Sequence, residues 1–79
     1  MNENELTDVM IEIIIAQQPL AASSSLIRRK LYNFHNRYYP NNIKIIRLLR
    51  QRSERDSNLI EIKTGRDILW KYKSGSAIS

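Results

Sequence analysis

The residues best suited to chemistry are the positive side chains of one short stretch, residues 41–55. Lys44, Arg47 and Gln51 recur at helical spacing and therefore share one side of a helix. The apolar residues of the opposite side are Ile45, Ile46, Leu48 and Leu49. Two further arginines, Arg50 and Arg52, flank the polar side. A basic outer face over an apolar inner face suits a helix laid against polyphosphate. A solvated surface helix has the same pattern, so this stretch alone leaves both interpretations open.

Catalytic and metal-binding chemistry has little support in the composition. The chain holds one histidine and no cysteine, and His35 has no second ligand at i+3 or i+4 that would indicate zinc. Glu12 has no evident carboxylate partner, and Gly65 and Gly75 are the only glycines, so no phosphate-cradling loop exists. We therefore expect a protein that is not an enzyme and that uses no metal, cofactor or small-molecule substrate.

The net charge of +5 conceals a strong asymmetry along the chain. Residues 1–27 hold four acids and no Lys or Arg, whereas residues 28–55 hold nine Lys or Arg and one acid. Such a basic middle predicts a positive face, for which nucleic acid is the usual partner. An acidic membrane surface or an acidic protein could also occupy it.

Length and hydropathy indicate one small domain over residues 1–73, followed by a disordered polar tail at 74–79. The apolar run Val9–Ala16 is interrupted by Glu12 and is too short to span a bilayer. The N-terminus is acidic, unlike a signal peptide. We expect no membrane association. We expect the protein to be cytoplasmic or nucleoid-associated, or nuclear if it comes from a eukaryote.

Three amphipathic helices are expected to position the basic residues. Residues 3–17 have a sustained helical period, although the run Ile13–Ile15 also admits a strand. Gln18-Pro19 ends this helix, and an extended link at residues 20–22 could pair as a minor strand. A second helix should run from about Ser25 to Asn36, with Ile27, Leu31 and Phe34 buried. Asn41 or Asn42 should cap the third helix after a turn that contains Tyr38 and Tyr39.

The period then changes from 3.6 to 2, which predicts a β-hairpin. Residues 59–64 alternate apolar and polar, residues 65–67 form a turn, and residues 68–73 resume the extended pattern. We expect Ile60, Ile62, Leu69 and Trp70 to close the core. An exposed Trp70 that stacks on bases is the alternative.

The order helix, link, helix, turn, helix, hairpin resembles the winged helix-turn-helix family, from about Leu6 to Lys73. The resemblance is most specific at the end, where the basic helix precedes Leu59-Ile60-Glu61-Ile62-Lys63, a Gly turn and Ile68-Leu69-Trp70-Lys71-Tyr72. The turn at Asn36–Pro40 is longer than in the simplest members and carries two tyrosines. The resemblance implies an α+β fold of three helices with a C-terminal hairpin wing, and a double-stranded DNA-binding regulator of transcription or replication.

The resemblance also implies roles for individual residues. Lys44, Arg47 and Gln51 would face base edges or phosphates of the major groove, while Arg50 and Arg52 would meet phosphate. The wing contacts would be Lys63, Arg66 and Lys71. The start of the second helix could hold a phosphate through Ser25, Arg28 and Arg29.

Two alternatives concern protein partners. A winged helix can also serve as an adaptor that docks an acidic protein or assembles with copies of itself. Ile11 and Ile15 lie off the main apolar stripe of the first helix, so they predict a homodimer through that helix. A central first helix, covered on several sides by its own domain, would explain both isoleucines without a dimer.

Overall fold

The computed structural model describes residues 2–35 and 41–73 of the chain. Pro40, Tyr38 and Tyr39 of the predicted turn and the predicted tail at 74–79 lie outside the described residues, as do the side chains of Phe34 and His35. The described chain folds as a small α+β domain with three helices and a three-stranded antiparallel sheet. In these described parts, no helix is both long and apolar enough to cross a bilayer.

The first helix, α1, spans Glu3–Ala16 and begins at a capping box. The Asn2 side chain accepts a hydrogen bond from the Glu5 backbone N–H at 2.8 Å. The Glu5 carboxylate accepts one from the Asn2 backbone N–H at 3.0 Å. This reciprocal pair satisfies two donors that a helix start leaves open. The helix predicted over residues 3–17 is confirmed.

The other helices, α2 and α3, span Ser24–His35 and Asn42–Ser53. Ser23 caps α2 by accepting the Leu26 backbone N–H at 3.0 Å, and Asn41 caps α3 by accepting the Lys44 backbone N–H at 2.8 Å. Asn41 is one of the two asparagines predicted to cap the third helix, and Ser23 is likewise of a residue type preferred at N-caps.

The sheet consists of β1 (Ala22–Ser23), β2 (Leu59–Lys63) and β3 (Ile68–Tyr72) in the order β1-β3-β2. The predicted hairpin is confirmed, with Glu61 opposite Trp70 at its centre. The predicted link after α1 does form a minor strand, because Ala22 pairs with Trp70 on the far side of β3. The central strand β3 therefore ties the start of α2 to the hairpin.

The core lies between the three helices and one face of the sheet, and Trp70 is its largest fully buried residue. The core interpretation of Trp70 is thus confirmed. Leu59 is also buried, and Ile68 and Tyr72 pack against the core from the same face of the hairpin.

The expectation that Ile60, Ile62 and Leu69 close the core is wrong. The strand register places these residues on the opposite face of the sheet, where they are only half-buried. The sheet therefore presents an apolar outer face of its own.

The first helix is central in the domain. Ile11 is only 8% exposed and belongs to the buried core, and Ile15 packs against that core. The helix contacts α2, α3 and β3. These contacts favour the central-helix alternative over the predicted dimer surface on α1, because the protein's own core covers Ile11 and partly covers Ile15.

Candidate nucleic-acid interface

The N-termini of α2 and α3 lie side by side. The Asn42 side-chain amide donates to the Ser25 hydroxyl at 3.4 Å and links the first turns of both helices. Arg28 and Arg29 follow Ser25 by about one turn, with Arg29 exposed and Arg28 half-buried. Two helix N-termini next to arginines form a positive corner that suits an anion.

The outer face of α3 and the hairpin enclose a shallow groove, which we call the α3–hairpin groove. Its volume is about 420 Å³, and it is lined by Ile43, Ile46, Arg47, Arg50, Gln51, Glu54 and Ile68. Three of the residues predicted to contact DNA, Arg47, Arg50 and Gln51, therefore meet at one site. Most of the surface of this groove is apolar.

The cations of α3 are engaged by acids from other elements. Glu3 at the start of α1 lies 3.7 Å from the Lys44 ammonium and 3.6 Å from the Arg47 guanidinium. Asp8 of α1 lies 2.8 Å from the Arg52 guanidinium. The acidic N-terminal segment thus offsets part of the positive charge of α3.

Arg50 joins α3 to the hairpin through a bidentate contact with Glu61 of β2. Its Nε donates to Oε1 at 3.1 Å and its terminal nitrogen to Oε2 at 2.7 Å. These hydrogen bonds hold the pKa of Glu61 below its ordinary value and raise the pKa of Arg50. Bidentate pairs fix geometry as well as charge. Arg50, predicted as a phosphate contact, therefore orients the hairpin against α3.

The predicted wing cations do not all share one face. Lys63 lies on the same face of β2 as Glu61, toward α3, whereas Lys71 alternates to the outer face of the sheet. There Lys71 borders a second depression with Pro19, Leu20 and Ile60. Lys63 and Arg66 are exposed near the hairpin turn. The structure thus brings Lys63 to the α3 side of the hairpin and separates Lys71 from it.

Two residues of this surface escaped the sequence analysis. Ile43 is 77% exposed at the start of α3, and Glu3 contacts two of the predicted DNA-binding cations. Ile43, Arg47 and Arg50 recur at i, i+4 and i+7, so helical spacing alone could have placed Ile43 on the basic face. Glu3 lies 41 positions from Lys44 in the sequence, and the only signal for their contact was that the N-terminal segment is acidic and the middle segment is basic.

Comparison with known protein families, with curated proteins and with solved structures found no match for this chain. Within residues 2–35 and 41–73, no cluster of three or more His, Cys, Asp or Glu side chains could hold a metal ion.

Proposed function

We propose that this protein is a winged helix-turn-helix domain that binds double-stranded DNA and regulates transcription or replication. Its third helix would enter the major groove, and the β2–β3 hairpin would act as the wing on the flanking backbone. The mechanism is binding, without catalysis or a cofactor.

One observation carries the proposal: the α3–hairpin groove gathers Arg47, Arg50 and Gln51 beside the hairpin. Arg47 and Gln51 have the side-chain geometries that read guanine and adenine edges. The exposed Ile43 beside them could contact a thymine methyl group.

The corner formed by the N-termini of α2 and α3 supports the same orientation. Ser25, Arg28 and Arg29 would hold a phosphate there, while Lys63 and Arg66 would reach the backbone from the hairpin. Lys71 has no part in this arrangement, because its side of the sheet faces away from α3.

The contacts of Glu3 with Lys44 and Arg47 do not prevent DNA binding. The side chains of Glu3 and Arg47 are 58% and 55% exposed, and such ion pairs contribute only about 0.2–1 kcal/mol each. A phosphate that replaces the carboxylate offsets this small cost. Arg50 is expected to keep Glu61, since that contact is bidentate.

The adaptor function is the second candidate, and the outer face of the sheet favours it. Ile60, Ile62 and Leu69 are half-buried there, and Leu20 is 70% exposed. Such apolar surface is typical of protein contacts. The DNA-binding function therefore depends on Arg47 and not on the outer sheet face, whereas the adaptor function depends on the outer sheet face and not on Arg47.

Fluorescence anisotropy with a random-sequence duplex, measured over a series of salt concentrations, tests the proposal. About five phosphate contacts should give a slope of roughly −4 to −5 for log affinity against log salt. Arg47→Ala should weaken binding and reduce the slope by about one. Lys71→Ala removes the same charge from the outer face and should leave both unchanged.

Absence of binding at low salt, or a slope near zero, refutes the DNA-binding function. Equal effects of Arg47→Ala and Lys71→Ala would show that charge alone matters and would refute the assigned interface.

A further inference from the structure

Strand β2 forms an open edge of the sheet. The strand order places it outside β3, and in the described part of the chain no strand pairs with its other side. An edge strand presents unpaired backbone donors and acceptors, which readily pair with another strand. Proline is absent from Leu59–Lys63, so nothing in the strand's own composition removes a donor from this edge.

The hairpin register shows which backbone groups point outward. The Lys73 N–H donates to the Asn58 carbonyl and the Thr64 N–H donates to the Asp67 carbonyl, both at 2.9 Å. Inward and outward residues alternate along an antiparallel strand, so Ile60 and Ile62 also bond to β3. The N–H and C=O groups of Glu61 and Lys63 therefore point away from the sheet.

We propose that two copies of this chain associate through β2, pairing antiparallel with the two-fold axis at Ile62. Glu61 then lies opposite Lys63 of the partner subunit, and Lys63 opposite Glu61 of the partner subunit. Each of these two pairs exchanges two backbone hydrogen bonds through the outward groups, giving four in all. The result is one continuous six-stranded antiparallel sheet.

Charge selects this register. Centring the pairing on Glu61 would place two carboxylates directly opposite each other, and centring it on Lys63 would oppose two ammonium groups. Like charges at such positions are destabilising, whereas opposite charges stabilise. Only the register centred on Ile62 combines opposite charges with outward backbone groups at the same positions.

The apolar outer face supports the same pairing. Ile62 meets Ile62 of the partner subunit as a pair without direct backbone bonds, the arrangement in which side chains approach most closely. Ile60 and Leu69 flank this contact on the same face. A second copy would cover the side of Ile62 that faces the sheet edge.

The pairing positions lie on β2, so the dimer uses Lys63, one of the two proposed wing contacts, but none of the proposed DNA-contacting residues of α3. A two-fold axis perpendicular to the sheet keeps both α3 helices on one face, because each packs on the same side of its own sheet. The inference does not require DNA binding, and its test contains no DNA.

Analytical ultracentrifugation of the full chain over a concentration series measures the dimerisation constant. Lys63→Glu places glutamates opposite each other twice and should raise the dimer dissociation constant about tenfold or more. Lys71→Glu makes the same change on the central strand, away from the edge, and should have no such effect. Thermal melting of each variant controls for unfolding.

Mixing two variants isolates the register. Each variant, Lys63→Glu or Glu61→Lys, should be mainly monomeric when it is measured alone. An equimolar mixture of the two restores both opposite-charge pairs and should form a heterodimer. Hydrogen exchange provides a backbone readout: the amides of Glu61 and Lys63 should become protected at high protein concentration in the wild type.

The proposal is overturned if the wild type is monomeric at high micromolar concentration. It is equally overturned if Lys63→Glu dimerises as well as Lys71→Glu, or if the folded variant mixture fails to associate. If Glu61→Lys does not fold, the comparison of Lys63→Glu with Lys71→Glu and the exchange of the two amides decide the question.

Discussion

Glu3 should act as an intramolecular competitor for DNA. Its carboxylate lies 3.7 Å from the Lys44 ammonium and 3.6 Å from the Arg47 guanidinium, the two cations proposed to face the major groove. Binding of a phosphate to either cation must displace this carboxylate or tolerate its negative charge nearby. Glu3→Gln removes the charge while keeping the size of the side chain, so it should strengthen DNA binding.

The size of the gain follows from exposure. Both contacts are long, the Glu3 side chain is 58% exposed and that of Lys44 is 30% exposed, so each contact contributes about 0.5 kcal/mol, within the usual range for surface pairs. Releasing both would lower the free energy of DNA binding by about 1 kcal/mol, which corresponds to roughly fivefold in affinity. The gain should shrink at high salt, because screening weakens exposed charges.

Anisotropy with a random duplex at low salt measures this gain. Glu12→Gln is the matched control, since Glu12 is an exposed acid on the same helix, two turns or more from Glu3. General loss of negative charge would affect both variants equally. Affinity of Glu3→Gln that equals or falls below that of Glu12→Gln, with both proteins folded, would refute the competition and the placement of DNA at Lys44 and Arg47.

Three further predictions concern stability. Truncation before Leu59 should unfold the domain, because Leu59 and Trp70 are buried and each contributes on the order of 2 kcal/mol; native helix content with cooperative melting would contradict this. The hydrogen bonds from the Arg50 guanidinium lower the pKa of Glu61, so ionised Glu61 stabilises the fold above its ordinary pKa of 4.5, and this stabilisation is lost as pH falls through the lowered value. Glu61→Gln should therefore flatten this part of an acid-denaturation curve, and an unchanged curve would contradict the contact. The Tyr72 hydroxyl donates to Asp56 at 2.7 Å, which raises the pKa of Tyr72, so Tyr72→Phe should cost about 1 kcal/mol at neutral pH by urea denaturation; this difference should diminish as pH rises above 10.0, and a difference that persists there would contradict the assignment.

Local signals predicted most of the secondary structure. Asn2, Ser23 and Asn41 cap their helices within the first turn, so the sequence near each helix start contains the required chemistry. The change from helical to alternating period likewise predicted the hairpin. Each of these features depends on residues a few positions apart.

The faces of the hairpin could not be predicted in the same way. Alternation divides β2 into two sets of residues but does not say which set faces the core. Ile60 and Ile62 were the more apolar set, yet Leu59 and Glu61 face the helices because Trp70 lies opposite Glu61 and fills the core. The Glu61 carboxylate is accommodated on that face by Arg50, 11 positions earlier in the chain. Sequence periodicity carries no information about such a long-range partner.

The acidic N-terminal segment and the basic middle of the chain contact each other through ion pairs between α1 and α3. Glu3 and Arg47 remain more than half exposed, so their contact exchanges easily with phosphate or water. Arg52 has only 15% of its side chain exposed and lies 2.8 Å from Asp8, and Arg50 holds Glu61 in two-point contact. The cations of α3 therefore divide into an exchangeable group at its start and a structural group at its end. Substitutions at Arg47 should change binding with little change in stability, whereas substitutions at Arg50 should change both.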